Sequence, residues 1–262
     1  MAESRDHSHV KRVVVKVGTN VMTNKDNRIV SPILRGLVDQ IAELYERDIM
    51  TILVSSGSVI AGMEVMDSTI DDPTIRRQVF SAIGQPRMMR HYYSIFHEYG
   101  MRCAQVLATK RDFSPGKHRE NMINCYEGLL SQGVIPIANE DDAVSLSMSM
   151  FSDNDELASL VAELLNADML ILLTDTDGLY TGHPDDENSR LIRNVSTDQD
   201  VEQYIQETNK GEAEGRGGME SKLGVAKETA KKDIPTFIAN GKRAGVIVDL
   251  VDGKEIGTRI ID

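Results

Sequence analysis

The sequence predicts an α/β protein, a mostly parallel sheet covered by helices on both faces. Three observations point there. Seven short apolar, β-rich runs recur along the chain, helical patterns lie between most of them, and the early runs end in polar or glycine residues. Such alternation implies parallel strands whose crossover helices cover the sheet.

The first run, RVVVKV (12–17), is rich in valine, which suits a half-buried pleated surface. Lys16 sits inside it, and an ammonium group is costly in a core unless something anionic meets it. The plainer alternative is a lysine that snorkels past the strand end. The segment 31–48 follows as a helix. Ser31 stands as its N-cap with Pro32 at the first helical position. Ile33, Leu34, Leu37, Val38, Ile41 and Leu44 then share one face. TILVSS (51–56), RCAQVLAT (102–109) and VIPIAN (134–139) read as further strands. A second helix, 153–168, has acids in its first turn and Leu157, Leu160, Val161 and Leu164 on one face. MLILLTD (169–175) is another strand, 221–233 a third helix, and PTFIANG (235–241) and VIVDL (246–250) the last two strands. HPDDENSR (183–190) reads as a surface loop, and the polar, glycine-rich 206–218 as a mobile segment. No Pro/Gly/Ser-rich linker divides the chain, so residues 10–262 form a single domain behind a polar tail, 1–9.

The chain has 262 residues, enough for a sizeable core. Its net charge of −12 argues against a nucleic-acid or anionic-membrane partner. An anion site must therefore be built locally, from a few placed cations and amides. Cys103 lies in an apolar run and reads as a small buried residue; with Cys125 it makes neither a disulfide framework nor a zinc site. The polar N-terminus lacks a signal-peptide core and no apolar run reaches membrane-spanning length, so a cytoplasmic protein is expected.

The strand ends carry the functional information. Polar groups follow four runs: GTN, SSGS, NEDD and TDTDG. In open α/β sheets, ligands bind at the carboxyl ends of the strands, so these segments converge on one crevice. The familiar phosphate loop GxxxxGK[ST] is missing. DTDG (175–178) is an incomplete calcium loop, and the six histidines form no ligand cluster, so no protein metal site is expected. GRGGMESK (215–222) places glycines before a helix and Lys222 in its first turn, where a cation opposes the helix dipole. A bound phosphate reverses that sign, because lysine, amides and dipole then face the same anion. Lys16, with Gly18 and Thr19 behind it, can present an ammonium and amides to a transferring phosphoryl group. SDND (152–155) caps a helix, and Asp155 can orient the two lysines. NEDD (139–142) gathers three carboxylates that call for a cation, and an α-ammonium group would serve.

Seven motifs in order, nearly the full length, resemble the glutamate 5-kinases of the amino acid kinase family. They are VVKxGT, LVSSG, the GQ at Gly84 and Gln85, PxxNExDAV, DND, LLTDxxGLYT and GGMxxK. The resemblance implies a three-layer αβα sandwich with a central mostly parallel sheet. It also implies ATP-dependent phosphorylation of the γ-carboxylate of L-glutamate, the first step of proline biosynthesis. Lys16, Lys222 and Asp155 are then catalytic. ATP is held by Lys16, Gly18, Thr174, Asp175 and the turn Arg216, Gly217, Gly218, Met219, Glu220, Ser221 and Lys222. Glutamate is held by Ser56, Gly57, Asn139, Asp142, Asp153 and Asn154. Mg²⁺ enters with the nucleotide. The resemblance further implies a homo-oligomer, coupling to glutamyl phosphate reductase, and, with the chain stopping at Asp262, a form lacking the C-terminal PUA domain. The chain departs from the family pattern at Asp141, Ser152, Arg216 and Glu220, and in the apolar MSMF (148–151). Alternatives are an acetylglutamate kinase-like or carbamate kinase of the same fold, or a non-catalytic amino acid or nucleotide sensor.

Overall fold

The structure, a computed structural model, describes residues 10–145, 151–184, 186–201, 204 and 218–262. The tail 1–9, most of the 206–218 segment and part of MSMF lie outside the described residues.

The chain opens with strand β1 (Arg12–Val17) and a single turn α1 (Thr19–Met22), then helix α2 (Ser31–Glu46). Val30, not Ser31, is the N-cap of α2; Ser31 is already helical, one position ahead of the proline, and no side chain caps this end. The apolar stripe of α2 is as expected, with Leu34, Leu37, Val38, Ile41 and Leu44 buried. Strand β2 (Met50–Ser55) leads into α3 (Ser58–Met63) and the long α4 (Pro73–Glu98). Asp72 caps α4 by accepting from the amides of Thr74 and Ile75, and Pro73 opens it. Strand β3 (Arg102–Ala108), helix α5 (Lys117–Ser131) and strand β4 (Val134–Glu140) follow, then α6 (Asn154–Leu164) and β5 (Met169–Thr174). Short β6 (Asn194–Ser196), α7 (Met219–Ala230), β7 (Thr236–Asn240), α8 (Val246–Val251) and β8 (Thr258–Ile261) complete the chain.

Among the described residues the strands form one sheet in the order β3-β4-β2-β1-β5-β7-β8-β6. The first six are mutually parallel; β8 runs antiparallel to β7 and pairs in parallel with β6. Period-two alternation sorts β1 between two cores. Val13, Val15 and Val17 face α2, α4 and α8, whereas Val14 faces α5, α6 and α7. The three layers are therefore helix, sheet, helix.

VIVDL is a helix, contrary to the strand expected from its β-branched residues. Gly245, at φ 75°, turns the chain, and Val246, Ile247, Leu250 and Val251 are then buried at helical spacing in the core that includes α2. The Ile247 amide donates to Gln40 Oε1 of α2 at 2.7 Å. Packing against α2 overrides β-propensity, which chiefly measures fit to a sheet surface. The strand that borders β7 is instead β8. Cys103 is half-buried on the edge strand β3 rather than fully buried, and both cysteines are free.

Helices α3 and α4 cross at van der Waals distance. A Cβ on Gly84 would stand 1.7 Å from the Ser58 carbonyl oxygen, and one on Gly62 would stand 2.0 Å from that of Phe80. Gln85, the other half of the GQ pair, accepts a hydrogen bond from Gln105 on β3. The pair therefore docks α4 onto its neighbours, and neither residue lines the cleft described next.

Candidate active site

The strand order reverses at β1: β2, β3 and β4 lie to one side, β5 and β7 to the other. Such a switch point leaves a crevice at the carboxyl ends of the strands. There the protein has a cleft of about 1510 Å³, lined from the ends of β1, β2, β4, β5 and β7. All four polar strand ends expected from the sequence meet in it, and the end of β7 joins them through Asn240.

Lys16 is in register with Val54 of β2 and Leu172 of β5. Alternation points it to the Val14 face, where α6 and α7 begin. Its Nζ lies 2.7 Å from Asp155 Oδ1, and Lys222 Nζ lies 2.9 Å from Asp155 Oδ2. The Asp155 side chain is fully buried, and those of the lysines are 5% and 7% exposed. Asp153 positions this group. Its carboxylate caps α6 by accepting from the amides of Asp155 and Glu156, and it also accepts from Ser221 Oγ at the start of α7. Burial lowers the Lys16 pKa, as does the nearby Lys222 charge, against the opposing pull of Asp155. Burial tends to raise the Asp155 pKa, but the two lysines together outweigh it and hold it below its ordinary value. The two ammonium groups share the one Asp155 carboxylate, and both lysines line the cleft.

A second cluster lies beyond Lys16. Asn154 Nδ2 donates to Asn139 Oδ1 at 2.8 Å and to Ser56 Oγ at 3.0 Å, joining the ends of β4 and β2 to α6. Gly57, at φ 95°, lets the chain turn sharply into α3. The NEDD carboxylates part company. Glu140 is buried and accepts from the amide of Phe151. Asp142 is also buried, and its Oδ1 takes the Arg77 guanidinium at 2.9 Å from Nη2 and 3.1 Å from Nε. Ser81 Oγ donates to Asp142 Oδ2 at 2.9 Å. The cation that the cluster needs is thus supplied in part by Arg77 of α4.

On the other side of Lys16, Gly18, Thr174, Asp175, Gly218 and Met219 line the cleft. Thr174 Oγ1 donates to Asp175 Oδ1 at 3.2 Å. Glu220 is exposed, and neither it nor Ser221 lines the cleft; Ser221 is engaged with Asp153 instead. Arg216 and Gly217 lie outside the described residues. Ser152, one of the departures, donates its amide to Glu156 Oε2. Sequence reasoning missed Arg77, Asp177 and Asn240. The Asp72-Pro73 pair signals the start of α4 but nothing that singles out Arg77 within it. Asp177 and Asn240, which hydrogen-bond at 2.9 Å across 63 residues, stand at the carboxyl ends of expected strands, and that position was the signal for them.

A sheet of this topology with a lysine–aspartate–lysine group at its switch point defines a class, and the chain belongs to the amino acid kinase family, whose family model matches residues 11–240. The chain is 43% identical over 241 residues to the glutamate 5-kinase of Bacteroides thetaiotaomicron, an alignment covering 92% of this chain and 66% of that one. It is 38% identical over 260 residues to the glutamate 5-kinase of Chlorobaculum tepidum, covering 98% and 71%. The chain thus spans about two thirds of the length of these relatives. Among solved structures, carbamate kinase from Giardia lamblia bound to AMP-PNP superposes with a TM-score of 0.69 at 17% identity, covering 97% of this chain and 99% of that one. Isopentenyl phosphate kinase from T. acidophilum gives 0.68 at 19%, covering 95% and 99%. At such identities these two structures bear on the fold alone.

Proposed function

We propose that the protein transfers the γ-phosphoryl group of ATP to the γ-carboxylate of L-glutamate, giving glutamyl 5-phosphate, the first step of proline biosynthesis. The observation that carries this reading is the bridging of Lys16 and Lys222 by the buried Asp155, in a cleft with polar groups on both sides. The resemblance to curated glutamate 5-kinases supports the choice of substrate.

A carboxylate acceptor is already anionic and needs no general base. The chemistry requires two anions to be brought together and the charge of the transferring phosphoryl group to be neutralised. Lys16 and Lys222 supply that charge, and Asp155 holds both ammonium groups in place before the reaction, so little reorganisation is needed. Ser56, Asn139, Asn154 and Asp142 orient the glutamate. Thr174, Asp175 and the turn leading into α7 take the nucleotide. Among the described residues no group of three carboxylate, imidazole or thiol side chains is arranged to hold a metal ion, and Asp155 is committed to the lysines. Mg²⁺ therefore fits as an ion bound through the nucleotide phosphates, where it neutralises phosphate charge. The acyl phosphate product is labile in water, which favours prompt consumption by glutamyl phosphate reductase.

The test is ADP release with and without glutamate, with hydroxylamine trapping of the acyl phosphate and N-acetylglutamate as the competing substrate. Glutamate-dependent release and a γ-glutamyl hydroxamate are expected. Preference for N-acetylglutamate or carbamate would move the protein to another branch of the family, and equal ADP release with and without glutamate would make it a nucleotide-binding protein of another kind.

A further inference from the structure

We propose that Arg77 takes the α-carboxylate of the bound α-amino acid and so, beside Asp142, which on the reading above meets the ammonium group, completes a clamp for the zwitterionic end. The identity of the amino acid rests on the reading above; the clamp itself concerns binding.

Both side chains line the cleft. The Asp142 side chain is 4% exposed and that of Arg77 36% exposed, so the aspartate forms the floor and the guanidinium reaches outward. The pair is held from behind. Ser81, one helical turn beyond Arg77, donates to Asp142, and its hydroxyl lies 3.1 Å from that of Ser58. Ser58 sits where Gly84 lets α3 and α4 touch. Arg77 is therefore placed by the helix crossing, and Asp142 is tied to it through Ser81.

The spacing dictates the ligand. Arg77 Nη2 lies 2.9 Å from Asp142 Oδ1, so an ammonium group bound at this carboxylate comes within a few ångströms of the guanidinium. The single Asp142 carboxylate then serves two cations, and the group is left with a net positive charge unless a second anion joins it. The α-carboxylate of an amino acid is two bonds from its ammonium nitrogen and completes a ring in which every charge has opposite neighbours. A planar guanidinium presents five donors along fixed edges and can hold two carboxylates in one plane, whereas a lysine offers only a point charge without that geometry. The pair is itself neutral, so a zwitterion docks without adding net charge. An amine lacking the α-carboxylate leaves that positive charge uncompensated.

The experiment measures binding of L-glutamate and 4-aminobutyrate by calorimetry, alongside kcat/KM for each, in the wild type, Arg77→Gln and Arg77→Lys. The two ligands share the carboxylate to be phosphorylated and differ only in the α-carboxylate. The wild type should prefer glutamate by about 10²-fold or more, as expected of a site built to pair a charged group. Arg77→Gln should weaken glutamate about tenfold or more without weakening 4-aminobutyrate, since it removes an attraction for one and a repulsion for the other. Arg77→Lys keeps a charge against Asp142, which guards against misfolding, and should lose part of the preference. Equal weakening of both ligands in either variant would show that Arg77 only holds Asp142 in place and would overturn the clamp. A wild type that does not distinguish the ligands would overturn it as well. Arg77-dependent glutamate preference in binding, with no phosphoryl transfer, would sustain the clamp and sink the proposed reaction.

Discussion

Lys16 Nζ and Asp155 Oδ1 are 2.7 Å apart although 139 positions separate them in sequence, and both side chains are almost withdrawn from solvent. Lys222 completes the group at 2.9 Å from the other oxygen. A charge held this way is available to an incoming anion without first reordering water, and each member of the group has separable consequences.

Lys16→Ala should lower kcat by roughly 10²–10³, the range for losing one preorganised electrostatic donor. The fold should persist, because Asp155 keeps Lys222 as its partner. KM for ATP should change less than kcat, since ground-state binding is shared with Thr174 and the start of α7. Lys16→Arg should not restore the rate, because a planar guanidinium does not reproduce a compact ammonium on that carboxylate. Steady-state kinetics with a thermal melt for each variant checks this, and a folded Lys16→Ala enzyme with near-normal kcat would contradict it.

Asp155→Asn acts differently, because it leaves two buried ammonium groups without their counter-charge. Breaking a buried ion pair from one side costs about 3–5 kcal/mol. A large drop in melting temperature, together with lost turnover, is the expected result. Unchanged stability by denaturant titration would mean that solvent reaches the lysines.

The pH profile follows from the shifted groups. Burial lowers the Lys16 pKa, so its ammonium is lost, and kcat falls, on an alkaline limb below 10.5. For stability the sign is opposite: the unfolded chain binds the extra proton between the folded value and 10.5, so this group's contribution improves as pH rises through that window. Asp155 has a lowered pKa, so its contribution is present above its ordinary value and is lost as pH falls through the folded one. The alkaline limb should vanish from the residual activity of Lys16→Ala.

Asp142→Ala should raise KM for glutamate and leave ATP affinity intact, because Asp142 is grouped with Arg77 and Ser81, away from Thr174. Calorimetry with a non-hydrolysable ATP analogue and, separately, with glutamate distinguishes the two sides of the cleft. A fall in ATP affinity alone would place Asp142 on the nucleotide side.

Gly84→Ala tests the helix crossing that supports the same region. Its Cβ would meet the Ser58 carbonyl oxygen at 1.7 Å, so backbone must move. Overpacking of this kind costs about 1–3 kcal/mol or more. Lower thermal stability and a higher glutamate KM are expected together, because Ser58 and Ser81 move with the helices. A stable variant with unchanged KM would uncouple the crossing from Asp142.

By itself the sequence determined the α/β class, the parallel strands and the convergence of their polar ends. Those features follow from local periodicity and chain order, which act between near neighbours. Lys16 was legible for the same reason: a cation inside a valine run demands an anion, and alternation assigns it a face. Only the tertiary structure decided which anion it meets and how Lys222 shares it, because the Asp155 contacts join β1, α6 and α7 across long separations. It also made VIVDL a helix, since burial against α2 outweighs the β-preference of its side chains. Arg77 was opaque in sequence because nothing local distinguishes a surface arginine from one that reaches Asp142, 65 residues away. Packing of α4 beside the end of β4 brings them together, and α4 is seated on α3 where two glycines leave room for backbone to touch backbone.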